Sequence, residues 1–521
     1  MRCTTASPGR GWCSIRVAEP AAAPALRAAA WILPALLAAA GVPWVWSEEL
    51  GALDGDSSIY LLMARHLAAW LPADPLTSEF AAQSAFPPLY PALLALTGGA
   101  ASVPIAHLVT LGCLIAALAL LRSWLVVLGV HALPALAATV LFALMPGTVI
   151  GALLVHSEPL YLALSIAALL ALARAPGQPR QLMLATTLVA LALLARSAGV
   201  ALVPALAVVA WRHGLRACAA CVAIALAPSL LWSATHQPDV SYGSILLRWL
   251  DAGPAAAAAQ LAAQAGMLAT GFARNIGGEP LDLPLAVLAL PALVVAALRL
   301  RRAEPDAVYL GSYLAMLLLW PYPTHAQRFA WVALPVLLGY LLQAAEWAAA
   351  RAPQPGVVRA ALPAALALLI APALADATAR WRAPEARAQP ALRHWPEWYQ
   401  SPRGRALDEA MSRIELAQAM EQLGVQVPAD DCAYSIFPVL LAWYAHRDGN
   451  VPPPAGLPDR LVDTWLRRFH CRYVFAAPAT SPAFPEPFYP VRRLGTRLTL
   501  VAQTRSTRPA GGITGLLLRI D

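Results

Sequence analysis

Long apolar runs separated by short polar segments fill most of the first 375 residues of the chain. Most approach the roughly 20 residues that cross a bilayer as a helix, and the Gly and Pro within them are tolerated in such helices. The pattern predicts an all-α polytopic membrane bundle of about eleven transmembrane helices. The predicted spans are 28–46, 103–121, 132–149, 157–173, 181–195, 197–211, 217–232, 283–298, 306–321, 329–347 and 357–375.

The segment between the first two spans, 48–102, is predicted to form the first outer loop. In it, apolar residues recur at roughly helical spacing over 59–70, and Arg65 and His66 point elsewhere. This spacing favours a helix that lies in the membrane interface. The proline-rich block 86–91 leads a short apolar stretch that ends before Gly98, too short to span. It predicts a second surface or re-entrant helix.

A second long outer loop, 233–282, contains an Ala run and is placed to close over a site. After residue 375, Trp and Arg interleave, as expected of an interfacial linker. A predicted helix at 405–423 ends at Gly424, and strand-like runs follow at 432–437, 472–476, 497–502 and 516–520. Helical stretches at 439–445 and 459–469 separate the first two of these strands. The region 376–521 is therefore predicted to be a small soluble α/β domain.

The composition supports the membrane assignment and excludes some functions. Hydrophobic residues make up 59% of the chain and charged residues only 13%, well below the quarter usual in soluble proteins. All 37 basic residues are Arg, so a phosphate loop ending in Gly-Lys is absent and ATP-driven transport is not expected. The net charge of +8 comes from Arg dispersed at helix ends, a pattern that does not predict nucleic-acid binding.

The Arg positions also orient the bundle, because Arg is enriched in cytoplasmic loops. Alternating spans place one set of Arg on the cytoplasmic side: Arg122, Arg174, Arg180, Arg212, Arg216, Arg299, Arg301, Arg302, Arg351 and Arg359. The lead 1–26 is then a disordered cytoplasmic segment, 27–375 the membrane domain, and 376–521 lies outside the cytoplasm. Arg196 and Arg328 fall at outer helix ends against this bias, which makes both functional candidates.

Two of the seven Cys residues, Cys432 and Cys471, lie in the polar tail. They are able to pair if the tail occupies an oxidising compartment. The Cys residues within apolar runs are interpreted as small hydrophobic side chains.

The outer side thus collects acids and guanidinium groups: Asp54, Asp56, Glu158, Arg196 and Arg328. Such a set suits transfer of a group from a phosphate leaving group, because a carboxylate takes the acceptor proton and Arg neutralises the phosphate. Each residue also has a structural alternative. Asp54 and Asp56 are also suited to starting a helix, Glu158 to stabilising a helix dipole, and the two Arg to snorkelling toward headgroups.

The order of these features resembles the type C (GT-C) glycosyltransferases, in particular the bacterial relatives of protein O-mannosyltransferases and of the lipid A aminoarabinose transferase. The resemblance covers nearly the whole chain in architecture and rests on an outer carboxyl-terminal domain and several short motifs. These are Asp56 four residues before Tyr60 and eight before Ala64, the Pro-Pro-Leu-Tyr-Pro block at 87–91, Ser-Glu-Pro-Leu at 157–160, Arg196 followed by Gly199, and Arg328 ahead of Leu334-Pro335. Ser57 stands where the protein mannosyltransferases have Glu, which leaves the acceptor type open.

The resemblance implies a bacterial inner-membrane enzyme that takes a sugar from a polyprenyl-phosphate donor on the periplasmic face, with inversion. Asp56 matches the acid of the first outer loop and is the expected general base, with Asp54 as its local competitor. Arg328, Arg196, Glu158, Tyr60 and Tyr90 are the expected donor-phosphate or substrate contacts. A divalent cation, Mg²⁺ or Mn²⁺, is left open, with Glu158 as the one candidate ligand.

Under this hypothesis the partners are a polyprenyl-phosphate-linked sugar, membrane lipids and an acceptor that is a glycan, a lipid or a protein. Two alternatives remain. A lipid or sugar transporter or flippase would be expected to carry charges near the bilayer midplane, whereas here they cluster at helix ends. A non-catalytic relative that binds a lipid-linked glycan would be distinguished only by an activity assay or by a bound donor.

Overall fold

The computed structural model describes residues 24–53, 55–74, 76, 86–236, 251, 253–277, 282–320, 325–481, 484–508 and 511–521. Within them the amino-terminal part is helical. Its helices are α1 (Pro24–Val45), α2 (Asp56–Leu67), α3 (Leu89–Thr97), α4 (Val103–Val127), α5 (Ala132–Leu144), α6 (Pro146–Gly151), α7 (Glu158–Arg174), α8 (Pro179–Ala195), α9 (Leu202–Trp211), α10 (Leu215–Thr235), α11 (Pro254–Gly277), α12 (Asp282–Arg301), α13 (Pro305–Leu318), α14 (Ala326–Ala349) and α15 (Pro355–Trp381).

Each predicted span overlaps helical structure, and most predicted ends lie within a few residues of the observed ones. Four helices in the described part, α4, α10, α14 and α15, are long and apolar enough to cross a bilayer on length and composition alone. Shorter apolar helices include α5, α8 and the segment 197–211. The chain is an integral membrane protein, and the count of about eleven crossings stays a prediction.

Two predicted spans are interrupted near the end of the bundle that is predicted to face outward. The span 132–149 is split because Met145 precedes Pro146 and takes an extended conformation, φ −60° and ψ 140°, as residues before proline do. The span 197–211 begins with a 3₁₀ helix, Ser197–Ala201. There Gly199 packs so closely on the end of α8 that an added Cβ would lie 2.6 Å from the Leu193 nitrogen. These breaks set the direction of the adjoining outer segments.

The first outer loop forms the two short helices α2 and α3, as predicted. Within the predicted second outer loop, 233–282, α11 occupies Pro254–Gly277, and the assignment of this segment as a loop between two spans stays a prediction. Its sequence is rich in Ala, which has the highest helix propensity, and its buried face packs on α14 at the candidate site. Of the predicted cytoplasmic lead, 1–26, residues 1–23 lie outside the described residues.

The carboxyl-terminal domain is α/β, as predicted. Its elements are α16 (Pro384–Ala388), α17 (Glu397–Gln400), α18 (Arg403–Gly424), β1 (Cys432–Tyr434), α19 (Pro438–Ala445), β2 (Asp448–Asn450), α20 (Val462–Phe469), β3 (Tyr473–Ala476), α21 (Tyr489–Leu494), β4 (Leu498–Arg505) and β5 (Ile513–Ile520). The sheet has the order β2-β1-β3-β5-β4. β1 pairs in parallel with β2 and β3, and β5 pairs antiparallel with β3 and β4. The short strand β2 was not predicted.

A disulfide between Cys432 and Cys471 closes the start of β1 onto the residues before β3. The paired sulfurs are buried in a small core on one side of the sheet. On the other side, α18 packs against β5. The disulfide and the two cores hold the sheet as one unit.

One hydrophobic core joins the first outer loop to the carboxyl-terminal domain. Tyr90 of α3, Trp395 of the linker and Met420 of α18 are fully buried in it. The indole N–H of Trp395 donates to Glu49 Oε2 at 3.0 Å. Arg65 of α2 lies 4.0 Å from the ring centre of Trp443 in α19. The domain is therefore docked directly over the end of the helical bundle from which α2 and α3 extend.

Candidate functional site

Four charged side chains meet where the membrane helices end beneath the carboxyl-terminal domain. Asp56 begins α2, Glu158 begins α7, Arg196 follows the last residue of α8, and Arg328 is the third residue of α14. Each therefore follows or precedes an apolar segment, which places it at an end of the bundle. They are four of the five charged residues that the sequence grouped as one set, and the structure brings these four together; the fifth is Asp54.

The four groups form a continuous chain of ion pairs. Arg328 Nη2 lies 2.6 Å from Asp56 Oδ2, and Arg328 Nε donates to Glu158 Oε1. Arg196 Nη1 lies 2.7 Å from the same Glu158 oxygen. Glu158 thus bridges two guanidinium groups, and Arg328 bridges two carboxylates.

The four charged side chains of this ion-pair chain are largely shielded from water. The side chain of Glu158 is 4% exposed, those of Arg196 and Arg328 are 13% and 15% exposed, and Asp56 is the most accessible at 23%. The ring of Phe329 lies under both guanidinium groups, 5.2 Å from Arg196 and 5.7 Å from Arg328. Two acids and two Arg balance formally, so burial does not leave an uncompensated charge.

Tyr60 and Tyr90, which were predicted to contact the substrate, lie at different distances from the ion-pair chain. The Tyr60 hydroxyl is 2.7 Å from Ser157 Oγ, which in turn accepts from Arg196 Nη1 at 3.3 Å. Burial raises the pKa of the Tyr60 phenol above its usual range, so the group remains neutral. The ring of Tyr90 packs edge-on against Tyr60 at 5.1 Å, but its hydroxyl pairs with Thr110 at 2.6 Å. Tyr60 therefore contacts the site, and Tyr90 lies one layer behind it.

Asp54, the predicted competitor of Asp56, lies outside the described residues.

A cavity of about 630 Å³ lies against the ion-pair chain. Glu158 and Arg328 line it from the membrane domain. Asp56 is not part of the lining but forms an ion pair with Arg328. Its opposite wall belongs to the carboxyl-terminal domain and its linker, through Glu397, Arg413, Gln400, Phe437, Thr480 and Ser481. The cavity is thus a cleft between the two domains, in the size range of small-molecule sites.

Several lining residues were missed by sequence reasoning. Asn275 at the end of α11 is 2% exposed and donates from Nδ2 to the Gln327 carbonyl at 2.7 Å. The backbone of Gly147 passes so close that an added Cβ would lie 2.1 Å from Asn275 Oδ1. Trp331 donates to Thr148 Oγ1 at 2.8 Å and completes this wall. None of these residues breaks a local pattern, so nothing in the sequence distinguishes them from packing residues.

A metal site does not fit the donor set around Glu158. Among the residues that the structure describes, no group of three or more His, Cys, Asp and Glu side chains is placed to hold an ion. Both guanidinium groups contact the one Glu158 oxygen, and their charges oppose a nearby cation. The arrangement favours an anionic ligand that approaches the guanidinium groups, and we derive no step through a metal.

The helical bundle, the short helices α2 and α3 and the docked α/β domain form a fold that solved structures share. The chain is similar over its length to two crystal structures of ArnT from Cupriavidus metallidurans, one bound to undecaprenyl phosphate and one in the apo state. Both align with a TM-score of 0.53 and cover 94% of this chain and 98% of ArnT, at 12% and 13% sequence identity respectively. The fold expected from the sequence resemblance is thereby confirmed. No protein-family profile and no curated protein sequence matches the chain.

Proposed function

We propose that this protein is a membrane glycosyltransferase that transfers a sugar from a polyprenyl-phosphate donor to an acceptor on the outer face, with inversion at the anomeric carbon. The observation that carries the proposal is the buried chain Asp56–Arg328–Glu158–Arg196 beside a cavity between the domains. The ArnT structure with bound undecaprenyl phosphate has the same fold, which supports the donor class.

The reaction requires a base and a group that stabilises the leaving phosphate. An acceptor hydroxyl or amine attacks the anomeric carbon, the bond from that carbon to the phosphate oxygen breaks, and the bonding electrons stay on the phosphate. The released polyprenyl phosphate carries one more negative charge than the donor phosphodiester. Arg328 and Arg196 offer planar donors for this charge, and Asp56 takes the acceptor proton.

Exchange of ion pairs links donor binding to base activation. Arg328 lines the cavity and holds Asp56 at 2.6 Å. A donor phosphate that contacts Arg328 from the cavity competes with Asp56 for its N–H groups. The carboxylate is then available to accept a proton from the acceptor, while Glu158 keeps both guanidinium groups in place.

The disulfide Cys432–Cys471 supports an oxidising environment for the carboxyl-terminal domain. In the proposed arrangement residues 1–26 are a cytoplasmic lead, 27–375 the membrane domain and 376–521 a periplasmic domain, in a bacterial inner membrane. The acceptor then meets the donor outside the cytoplasm.

The test is sugar transfer by the purified protein in lipid nanodiscs. Radiolabelled undecaprenyl-phosphate hexoses and pentoses are supplied as donors, with a membrane extract as the source of acceptors. We expect label transfer with at least one donor, loss of transfer in Arg328→Gln, and retention in Arg405→Gln, an exposed Arg of α18. Absence of transfer with every donor would contradict the proposal.

A further inference from the structure

A second cavity, of about 660 Å³, lies within the carboxyl-terminal domain next to the first. It is bounded by one face of α18, by the segments that follow β3 and β4, and by the start of β5. Glu397, Arg413 and Thr480 line both cavities. Arg413 Nε donates to Glu397 Oε1 at 3.1 Å at this shared boundary. The two cavities therefore adjoin.

The second cavity has a fixed set of donors and acceptors on one wall. Glu415 is 6% exposed, and Arg508 holds it through Nη2 at 2.8 Å and Nε at 3.2 Å. Ser506 donates to the same carboxylate at 2.5 Å, and Asp408 anchors the other side of Arg508 at 2.8 Å. These groups are ordered before any ligand binds, which reduces the entropy cost of binding.

An aromatic side chain with an unusual backbone conformation lies on the same cavity. Phe488 has φ 53° and ψ 32°, a left-handed conformation that is uncommon for residues other than glycine. Its N–H donates to the Ala477 carbonyl at 2.9 Å, which holds this conformation in place. Conformations of this kind persist where the surroundings enforce them and are concentrated at binding sites.

The lining identifies the class of ligand. Its ionisable residues are Glu397, Glu409, Glu415, Arg413 and Arg508, which sum to a formal charge of −3 + 2 = −1 and disfavour an anionic group. Carboxylates accept hydrogen bonds and guanidinium groups donate them, whereas a sugar hydroxyl does both. Phe488 contributes an aromatic side chain to the lining, and the face of an aromatic ring is electron-rich and suits the C–H groups of a sugar ring.

An extended peptide is the alternative occupant of this cavity. Extended peptides usually bind by adding a strand to an exposed sheet edge. The strand β5 lines the cavity through Ile513 and Thr514, and β3 pairs only with residues 516–519 of that strand. A peptide is therefore included in the test.

We propose that the second cavity binds an uncharged, hydroxyl-rich saccharide that forms part of the acceptor, so that the group to be glycosylated lies in the first cavity near Asp56. This proposal rests on the proposed function for its role in transfer, although saccharide binding itself is independent of transfer.

The test uses a cavity-filling substitution with a matched control. Ser412 is exposed on α18 and lines the second cavity, so Ser412→Trp fills the space without disturbing a core. Gln418 is exposed on the same helix and is absent from the lining, so Gln418→Trp adds the same side chain elsewhere. Binding to protein in nanodiscs is measured by saturation-transfer NMR with maltotriose, with N,N′-diacetylchitobiose and with a Ser/Thr-containing hexapeptide.

We expect at least one oligosaccharide to bind the wild type and Gln418→Trp, and to bind Ser412→Trp at least about tenfold more weakly. Undecaprenyl phosphate binding, measured in parallel, should be equal in all three proteins. The proposal is overturned if neither oligosaccharide binds the wild type, if Ser412→Trp binds as well as the control, or if only the peptide binding depends on Ser412. If the wild type binds a saccharide but does not bind undecaprenyl phosphate, the proposed function is contradicted and the saccharide site is not.

Discussion

Removal of the charge of Glu158 should destabilise the outer end of the bundle, because this carboxylate is shared by two buried guanidinium groups. In Glu158→Gln, Arg328 keeps its ion pair with Asp56. Arg196 loses the carboxylate that it contacts at 2.7 Å. Among its described contacts it keeps the hydroxyl of Ser157 and the ring of Phe329.

The magnitude follows from the distance and the burial. At 2.7 Å and an effective dielectric constant of about 20, one charge pair is worth about 6 kcal/mol before desolvation is subtracted. Removal of one partner from a buried pair costs about 3–5 kcal/mol, because the remaining charge is left without compensation. We expect a loss of about 3 kcal/mol for Glu158→Gln, since Arg196 is 13% exposed and keeps some solvation.

A double-mutant cycle with Arg196→Gln measures the coupling, with thermal unfolding of the protein in detergent as the assay. The double variant should be more stable than the sum of the single effects by about 2 kcal/mol. As a control, Arg405→Gln removes an exposed pair with Glu409, whose side chains are 70% and 40% exposed, and should change stability by less than about 1 kcal/mol. Additive effects of the two site substitutions would refute the shared-carboxylate geometry.

Three further predictions concern the surroundings of the site. Gly147→Val should displace Asn275, because the new Cβ would lie only 2.1 Å from Asn275 Oδ1. Transfer activity should therefore fall, and unchanged activity with unchanged stability would contradict this packing. Burial raises the pKa of the Glu49 carboxyl, so the folded state favours the protonated carboxyl. The stability that this protonation contributes is present below the usual carboxyl pKa and is lost as the pH rises through the raised pKa of the folded state. Glu49→Gln should therefore raise the unfolding temperature relative to wild type at pH 8 and have little effect at pH 4, and the opposite order would show that the charged form is favoured. Loss of the disulfide in Cys432→Ser/Cys471→Ser, which opens a loop of 39 residues, should cost the carboxyl-terminal domain about 4 kcal/mol; equal protease resistance of the variant and the wild type would contradict that value.

The membrane domain could be predicted largely from sequence because the bilayer imposes a length and a polarity on each span. Arg196 and Arg328 were recognisable because the predicted topology puts them at outer helix ends, against the charge bias of the other loops. The helix at 254–277 was not predicted, although its Ala-rich sequence has a high helix propensity.

The contacts within the site could not be predicted. Nothing in the local sequence indicates that both guanidinium groups meet at one Glu158 oxygen, because these residues are separated by long stretches of chain. The upper wall of the cavity, with Glu397 and Arg413, depends on how the carboxyl-terminal domain docks on the first outer loop. That docking uses a core of ordinary apolar residues, which carry no functional signal in one sequence.

The most direct test of the central claim is the transfer rate of Asp56→Asn, measured together with its binding of undecaprenyl phosphate. Asn keeps the size of the side chain and an oxygen beside Arg328 Nη2, but it is not a base. We predict that undecaprenyl phosphate binding is retained and that the transfer rate falls by about 100-fold or more. Undiminished transfer would contradict the assignment of Asp56 as the base and, with it, the proposed role of the ion-pair chain.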